Sequence, residues 1–83
     1  MNTKLFVGSI SWSVNNDILK ETFQKYGTVV SANIVLDSIT NKSRGFGFVE
    51  MSDETEANNA MRALNDSSLD GRNIIVNLAK QRN

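Results

Sequence analysis

The chain has 83 residues, nine Lys and Arg balanced by nine Asp and Glu, and no cysteine or histidine. That length supports one domain with a modest core, and the missing residue types exclude disulfides, Cys/His metal sites, thiol nucleophiles and histidine acid–base chemistry. No apolar run reaches membrane length and no signal-peptide pattern follows Met1, so a protein without a membrane span, in a reducing compartment, is expected.

Lys4 to Ile10 reads as a strand, with Leu5 and Val7 facing one way and Lys4, Phe6 and Gly8 the other. An aromatic there shares a face with a charge. Ile18, Leu19, Thr22, Phe23 and Tyr26 then recur at helical spacing. Asn15 is a good N-cap, Val14 and Leu19 suit a hydrophobic staple, and Gly27 is a natural stop, which predicts a helix over 16–26. Trp12 precedes that helix in a loop; Trp12, Phe23 and Tyr26 are all expected in or against the core.

Val29 to Leu36 is rich in β-formers, with Ala32, Ile34 and Leu36 on an apolar face and Ser31, Asn33 and Val35 on the other. Asp37 to Ser43 is turn chemistry, in which Asn41 suits a left-handed backbone. The octapeptide Arg44-Gly45-Phe46-Gly47-Phe48-Val49-Glu50-Met51 follows as a strand. Phe46, Phe48 and Glu50 fall on one face, Gly47, Val49 and Met51 on the other. Glu50 resists burial without a partner, so the Phe face is expected to be the wet one. Exposed rings beside the Arg44 cation, with glycines that leave room for close approach, suit a nucleobase and its phosphate.

Asp53 and Glu56 open a second helix as a capping-box pair, and Ala57, Ala60, Met61 and Leu64 make its apolar stripe. The acidic residues there favour the helix N-terminus and need no catalytic role. Asn65 to Arg72 is a connection with a turn at Asp70-Gly71. Ile74, Val76 and Leu78 alternate with Asn73, Ile75, Asn77 and Ala79 in a last strand, and Lys80 to Asn83 form a polar tail.

The octapeptide satisfies the RNA-recognition signature at seven of its eight places, with Met51 where an aromatic is usual. Met51 points to the core, so this departure affects packing shape more than binding. Leu5-Phe6-Val7-Gly8-Ser9-Ile10 resembles the second signature of the same family, with Ser9 where Asn is usual. The chain therefore resembles the RNA recognition motif (RRM) family over roughly Lys4 to Lys80, and within it the short bacterial single-RRM proteins and the plant glycine-rich RNA-binding proteins. The resemblance implies an α+β, ferredoxin-like βαββαβ fold: a four-stranded antiparallel sheet, first and third strands central, with two helices on one face. Residues 1–83 would form a single domain with its core over about 4–80 and a short tail over 81–83.

By position, the resemblance implies that Phe6 and Phe48 each stack a base, that Phe46 packs on sugar rings between them and that Arg44 meets a phosphate. Lys4, Asn33, Glu50, Asn77 and Ala79 also face the ligand by strand parity. Lys42 flanks the loop exit, and main-chain groups near Lys80 extend the same surface. Five cations (Lys4, Lys42, Arg44, Lys80, Arg82) against Asp37 and Glu50 lie in or beside the strands. The remainder carries the compensating acidic excess, so one basic and one acidic side are expected.

The expected function is single-stranded RNA binding by stacking on the sheet, in post-transcriptional regulation. Single-stranded DNA is a second ligand, since stacking tolerates both sugars. The expectation is a monomer with no cofactor or metal and no enzymatic activity. It is placed in the cytoplasm, bacterial by the closer resemblance, or in the nucleus or an organelle if the source is eukaryotic. The competing reading is a protein-binding module or homodimer that covers the same aromatic face.

Overall fold

The computed structural model describes residues 3–79, so Lys80 and the tail lie outside the described residues. In chain order the elements are β1 (Lys4–Gly8), α1 (Asn16–Gln24), β2 (Val29–Leu36), β3 (Ser43–Met51), α2 (Glu54–Leu64), β4 (Ser68–Leu69), β5 (Arg72–Asn73) and β6 (Ile75–Leu78). β2, β3, β1 and β6 build one antiparallel sheet in that spatial order, with β1 and β3 central. Both helices pack on one side of it, α1 over β2 and α2 over β6 and β3. This is the α+β, ferredoxin-like βαββαβ architecture that the two signatures implied, with β6 as the fourth sheet strand.

The covered side follows from the period-two pattern. Leu5 and Val7 of β1, Val49 and Met51 of β3 and Val76 of β6 are buried together with Ile74, which precedes β6. Leu19 and Phe23 of α1 and Ala57, Ala60 and Leu64 of α2 close over them. Small residues on α2 let it approach the sheet, while Phe23 and Leu19 supply bulk under α1. Each helix starts at the cap expected. Asn15 accepts from the Ile18 amide at 2.8 Å, and Asp53 from the Glu56 amide at 2.7 Å.

The second half of the capping box does not form. Glu56 Oε1 accepts from the Thr28 amide at 2.8 Å and the Ser52 hydroxyl at 2.6 Å, tying the first turn of α2 to the start of β2. A partner 28 residues away replaces the local one, because the fold brings an unpaired amide within reach.

Three core expectations need correction. Trp12 is 84% exposed, because Ile10 and Val14 fill the buried positions on either side of it. Tyr26 is exposed beyond the end of α1, which stops at Gln24 rather than at Tyr26, and Leu19 and Phe23 make the helix's buried contact while Ile18 is exposed. Leu36 is 53% exposed rather than on the apolar face of β2. The register breaks between Ile34 and Leu36: Ile34 pairs with Gly47, but Leu36 pairs with Ser43. β3 absorbs two extra residues there around Gly45, whose φ of +83° suits glycine and turns the strand. A second break leaves Val30 as the extra residue between Val29 and Ser31.

The connection after α2 holds more structure than a plain turn. β4 and β5 pair as a short hairpin closed by Asp70 and Gly71, both left-handed at φ 53° and 89°. Asn41, at φ 58°, takes the left-handed position expected in the β2–β3 turn. At the outer edges of the main sheet, the Ile34 amide of β2 donates to Asn16 Oδ1 at 2.8 Å, and the Val76 amide of β6 donates to Asn65 Oδ1 at 3.0 Å.

Candidate nucleic-acid interface

Among the described residues no helix covers the opposite side of the sheet, and the rows of side chains there follow from the register. Asn33 pairs with Phe48, Phe48 with Phe6, and Phe6 with Asn77, so four residues from four strands form one row. In the next row Ser31 pairs with Glu50 and Glu50 with Lys4, while the Ala79 amide donates to the Lys4 carbonyl at 2.8 Å. The Glu50–Lys4 juxtaposition sets opposite charges across neighbouring strands, a mildly stabilising arrangement at a surface.

Phe6, Phe46 and Phe48 converge. Ring centroids are 5.9 Å apart for Phe6 and Phe46, 5.8 Å for Phe6 and Phe48, and 6.4 Å for Phe46 and Phe48. The two pairs that include Phe48 are edge-on, at 67° and 90°, so its ring stands at a steep angle to both neighbours. Each ring is half-buried by the other two and by the sheet, and each keeps exposed surface. Lys4 Nζ lies 5.2 Å from the Phe48 centroid, within cation–π range. A Cβ on Gly8 would stand 3.0 Å from the Phe6 ring, so glycine there clears the space over which that ring lies.

Gly47 serves the strand pairing under this surface. A Cβ at Gly47 would fall 2.5 Å from the Asn33 carbonyl oxygen and 2.9 Å from Ile34 Cα. The close approach that a glycine in this strand signals is therefore made by another backbone. It seats β2 beside β3 and so brings Asn33 level with Phe48.

Of the residues singled out from sequence, Phe6, Phe46, Phe48, Lys4, Asn33, Glu50 and Asn77 share this open side, and Ala79 adjoins Lys4 at its margin. Arg44 is exposed at the start of β3, next to the irregularity at Gly45, so simple alternation with Phe46 does not fix its face. Lys42 is not among the ring rows. It stands in the wall of a separate groove with Trp12 and Leu36. The turn that carries Lys42 is closed by Asp37, whose carboxylate accepts from the Ile39 and Thr40 amides at 2.9 and 3.1 Å. Those two backbone bonds hold its pKa below the ordinary value.

Two features escape a periodicity reading. Trp12 sits in a Ser-Trp-Ser loop outside any periodic segment, and its neighbours in space come from the β2–β3 turn. Arg72, assigned by sequence to the acidic side, reaches the end of β1, where its guanidinium donates to Ser9 Oγ at 3.4 Å. Ser9 itself is left-handed at φ 56°, a conformation that suits the Asn usual at this place of the second signature better than the Ser present here.

Comparison with known proteins agrees with the geometry. The family model described as "RNA recognition motif" matches residues 5–75. The chain belongs to this family. It is 46% identical over 82 residues to glycine-rich RNA-binding protein 4, mitochondrial, of Arabidopsis thaliana, covering 99% of this chain and 60% of that protein. This RRM chain thus spans less than two thirds of that relative's length. The crystal structure of RNA-binding protein PG1 superposes with a TM-score of 0.92 at 41% identity, covering 98% of each chain. A Sex-lethal protein–RNA complex superposes with a TM-score of 0.88 at 35% identity, covering 93% of this chain and 47% of that one. The Arabidopsis relative is mitochondrial by name, where the sequence reading favours a bacterial cytoplasm and gives a nucleus or an organelle for a eukaryotic source.

Proposed function

We propose that this RRM binds single-stranded RNA across the open side of its sheet. Bases stack on Phe6 and Phe48, Phe46 lies against the sugars between them, and Lys4 and Arg44 attract phosphates. The observation that carries this reading is the cluster of three half-buried rings, all within 6.4 Å of a neighbour, on a side that no helix of the described residues covers. Left to water such a cluster is costly; under flat bases it is a platform. Asn33 and Asn77 stand at the ends of the ring row, each with an amide that offers two donors and an acceptor to a base edge. The RNA complex of the Sex-lethal relative and the name of the Arabidopsis relative support the ligand class.

The role is recognition rather than catalysis, as a monomer acting on transcripts, in the cytoplasm or in an organelle that holds RNA of its own. Single-stranded DNA is the weaker competitor for the same platform.

Replacing Phe48 by Ala tests the platform. RNA affinity should fall by about 1–3 kcal/mol, the worth of one stacked base. Folding stability should change by about 1 kcal/mol, the scale of the ring–ring attraction that Phe48 supplies. Fluorescence titration with short oligonucleotides measures the first and a urea melt the second. Duplex RNA of the same sequence should compete poorly, because the rings need splayed bases. Equal competition by duplex, or full affinity in the variant, would exclude stacking on the sheet. A mass that rises with concentration and drops in Phe48→Ala would instead mark the rings as a dimer contact.

A further inference from the structure

Lys4 holds a position with two partners. Its Cα pairs with that of Glu50 on β3, and Phe48, two residues back on the same strand, is its diagonal neighbour. A direct cross-strand pair sets a carboxylate opposite the ammonium, and a diagonal neighbour is still within reach of long and aromatic side chains. The ammonium takes the diagonal: it lies over the Phe48 ring, 5.2 Å from the centroid. The negative face of the ring attracts it there. Among the described residues Lys4 is the one cation over a ring of this cluster.

A flat ring stacked on Phe48 sets its centroid about 4.5–7 Å away. The ammonium stands inside that shell, in space that a stacked base needs. Phe6 and Phe46 flank the half-buried ring, with centroids 5.8 and 6.4 Å away, and Lys4, itself exposed, meets it from the open side. In the free protein, therefore, the ring that receives a base already carries a cation.

We propose that Lys4 is a specificity-determining residue, which makes stacking on Phe48 conditional on a phosphate beside the base. A neutral flat ligand has to displace the ammonium and offers no counter-charge in return. A nucleotide displaces it too, but its phosphate gives the ammonium a new partner within one swing of the side chain. The exchange is ring for phosphate. The site thus favours bases carried on a charged backbone over free bases, nucleosides and uncharged aromatic ligands. This inference rests on the sheet-binding reading and adds a selection step to it.

The test compares two single strands of one sequence, each of about four nucleotides, long enough for the two or three bases that the rings hold. One is 2′-O-methyl RNA with ordinary phosphodiester linkages. The other has methylphosphonate linkages, which carry no charge. Both are titrated by NMR. Lys4→Ala uncovers Phe48, so the methylphosphonate strand should bind this variant about 2- to 5-fold tighter than the parent, the factor for an exposed cation–π contact. The phosphodiester strand should lose one phosphate contact in the same variant, and its log–log salt slope should flatten by about 0.7. Lys4→Arg restores a cation to the ring, so the neutral strand should lose the gain seen with alanine. Because Lys4 is exposed, urea melts should show both variants as fully folded as the parent in the titration buffer. In the free parent the Lys4 ε-methylene protons should lie upfield of those of the other lysines, shifted by the Phe48 ring, and should return to the common position in Phe48→Leu.

Equal or weaker binding of the methylphosphonate strand by Lys4→Ala, or Lys4 ε-protons that do not move in Phe48→Leu, would overturn the selection step. If Phe48→Ala in that case still weakens the phosphodiester strand, the sheet reading stands without it. A phosphodiester strand that does not bind the parent sinks the sheet reading and the selection step together.

Discussion

The chain's four phenylalanines divide between the two sides of the sheet, and their surroundings explain the division. Phe23 on α1 has no exposed surface and packs with Leu5, Val49 and the other buried aliphatics. Phe6, Phe46 and Phe48 stand half-exposed on the opposite side. Size and hydrophobicity are the same at all four positions, so neither decides. Neighbours of the same parity do. Phe23 shares its helix face with Leu19, whereas Phe6 and Phe48 share a strand face with Lys4 and Glu50, which resist burial. Charge at the margin keeps one side open, and the helices are left the other side to cover.

The sharpest way to break that contrast is Phe23→Ala. A ring lost from the covered side should lower folding stability by about 3–5 kcal/mol in a urea melt. A change under about 1 kcal/mol would mean that the covered side is not where the fold derives its stability. Gly47→Ala probes the layer between the two sides. Its added Cβ meets main-chain atoms of Asn33 and Ile34, which yield less readily than side chains, so a loss of about 1–3 kcal/mol is expected. An unchanged melt midpoint would show that β2 and β3 separate there without cost.

The electrostatic contrast is weaker. By the sequence, five cations against two acids belong to the strand segments and their flanks, enough for about two or three phosphates to be neutralised, so RNA affinity should fall with salt at a log–log slope of about −1.5 to −2. Titrations at several salt concentrations give the slope, and a value steeper than about −4 would reveal a basic surface beyond the open side. The smallest effect belongs to Asp37. Its folded pKa lies below the unfolded value because the Ile39 and Thr40 amides bond the carboxylate. Its contribution is therefore present above the unfolded value of about 3.9 and is lost as pH falls through the lower, folded value. In an acid titration followed by amide NMR, Ile39 and Thr40 should shift together below that point while amides of β1 stay fixed. Simultaneous movement of both sets would tie the turn to global unfolding.

How much of this is legible in the sequence depends on how local each determinant is. The placement of Phe6, Phe48 and Glu50 can be read because β1 and the second half of β3 keep strict alternation. Leu36 cannot be read correctly, since its face depends on a register break at Gly45 that leaves no mark on the pattern of apolar residues. Trp12 escapes for a different reason. Burial is common for tryptophan, but a residue in a loop has no periodicity to set against that tendency. Glu56 reads as a capping partner within its own helix, and only the folded chain brings Thr28 close enough to claim it. The site rows need pairing order as well as parity, and that comes from the family signature rather than from spacing.

The two asparagine bonds at the sheet margins bear on how copies of the protein meet one another. Among the described residues β2 and β6 are the outer strands of the main sheet, and such strands offer a ladder of amides and carbonyls to any other extended chain. Here the ladder is interrupted from within: Asn16 holds the Ile34 amide and Asn65 holds the Val76 amide. A strand arriving at either margin has to displace a side chain already bonded there before it finds a continuous register. Crowding many copies together therefore does not by itself present the template for strand-by-strand growth into a fibre.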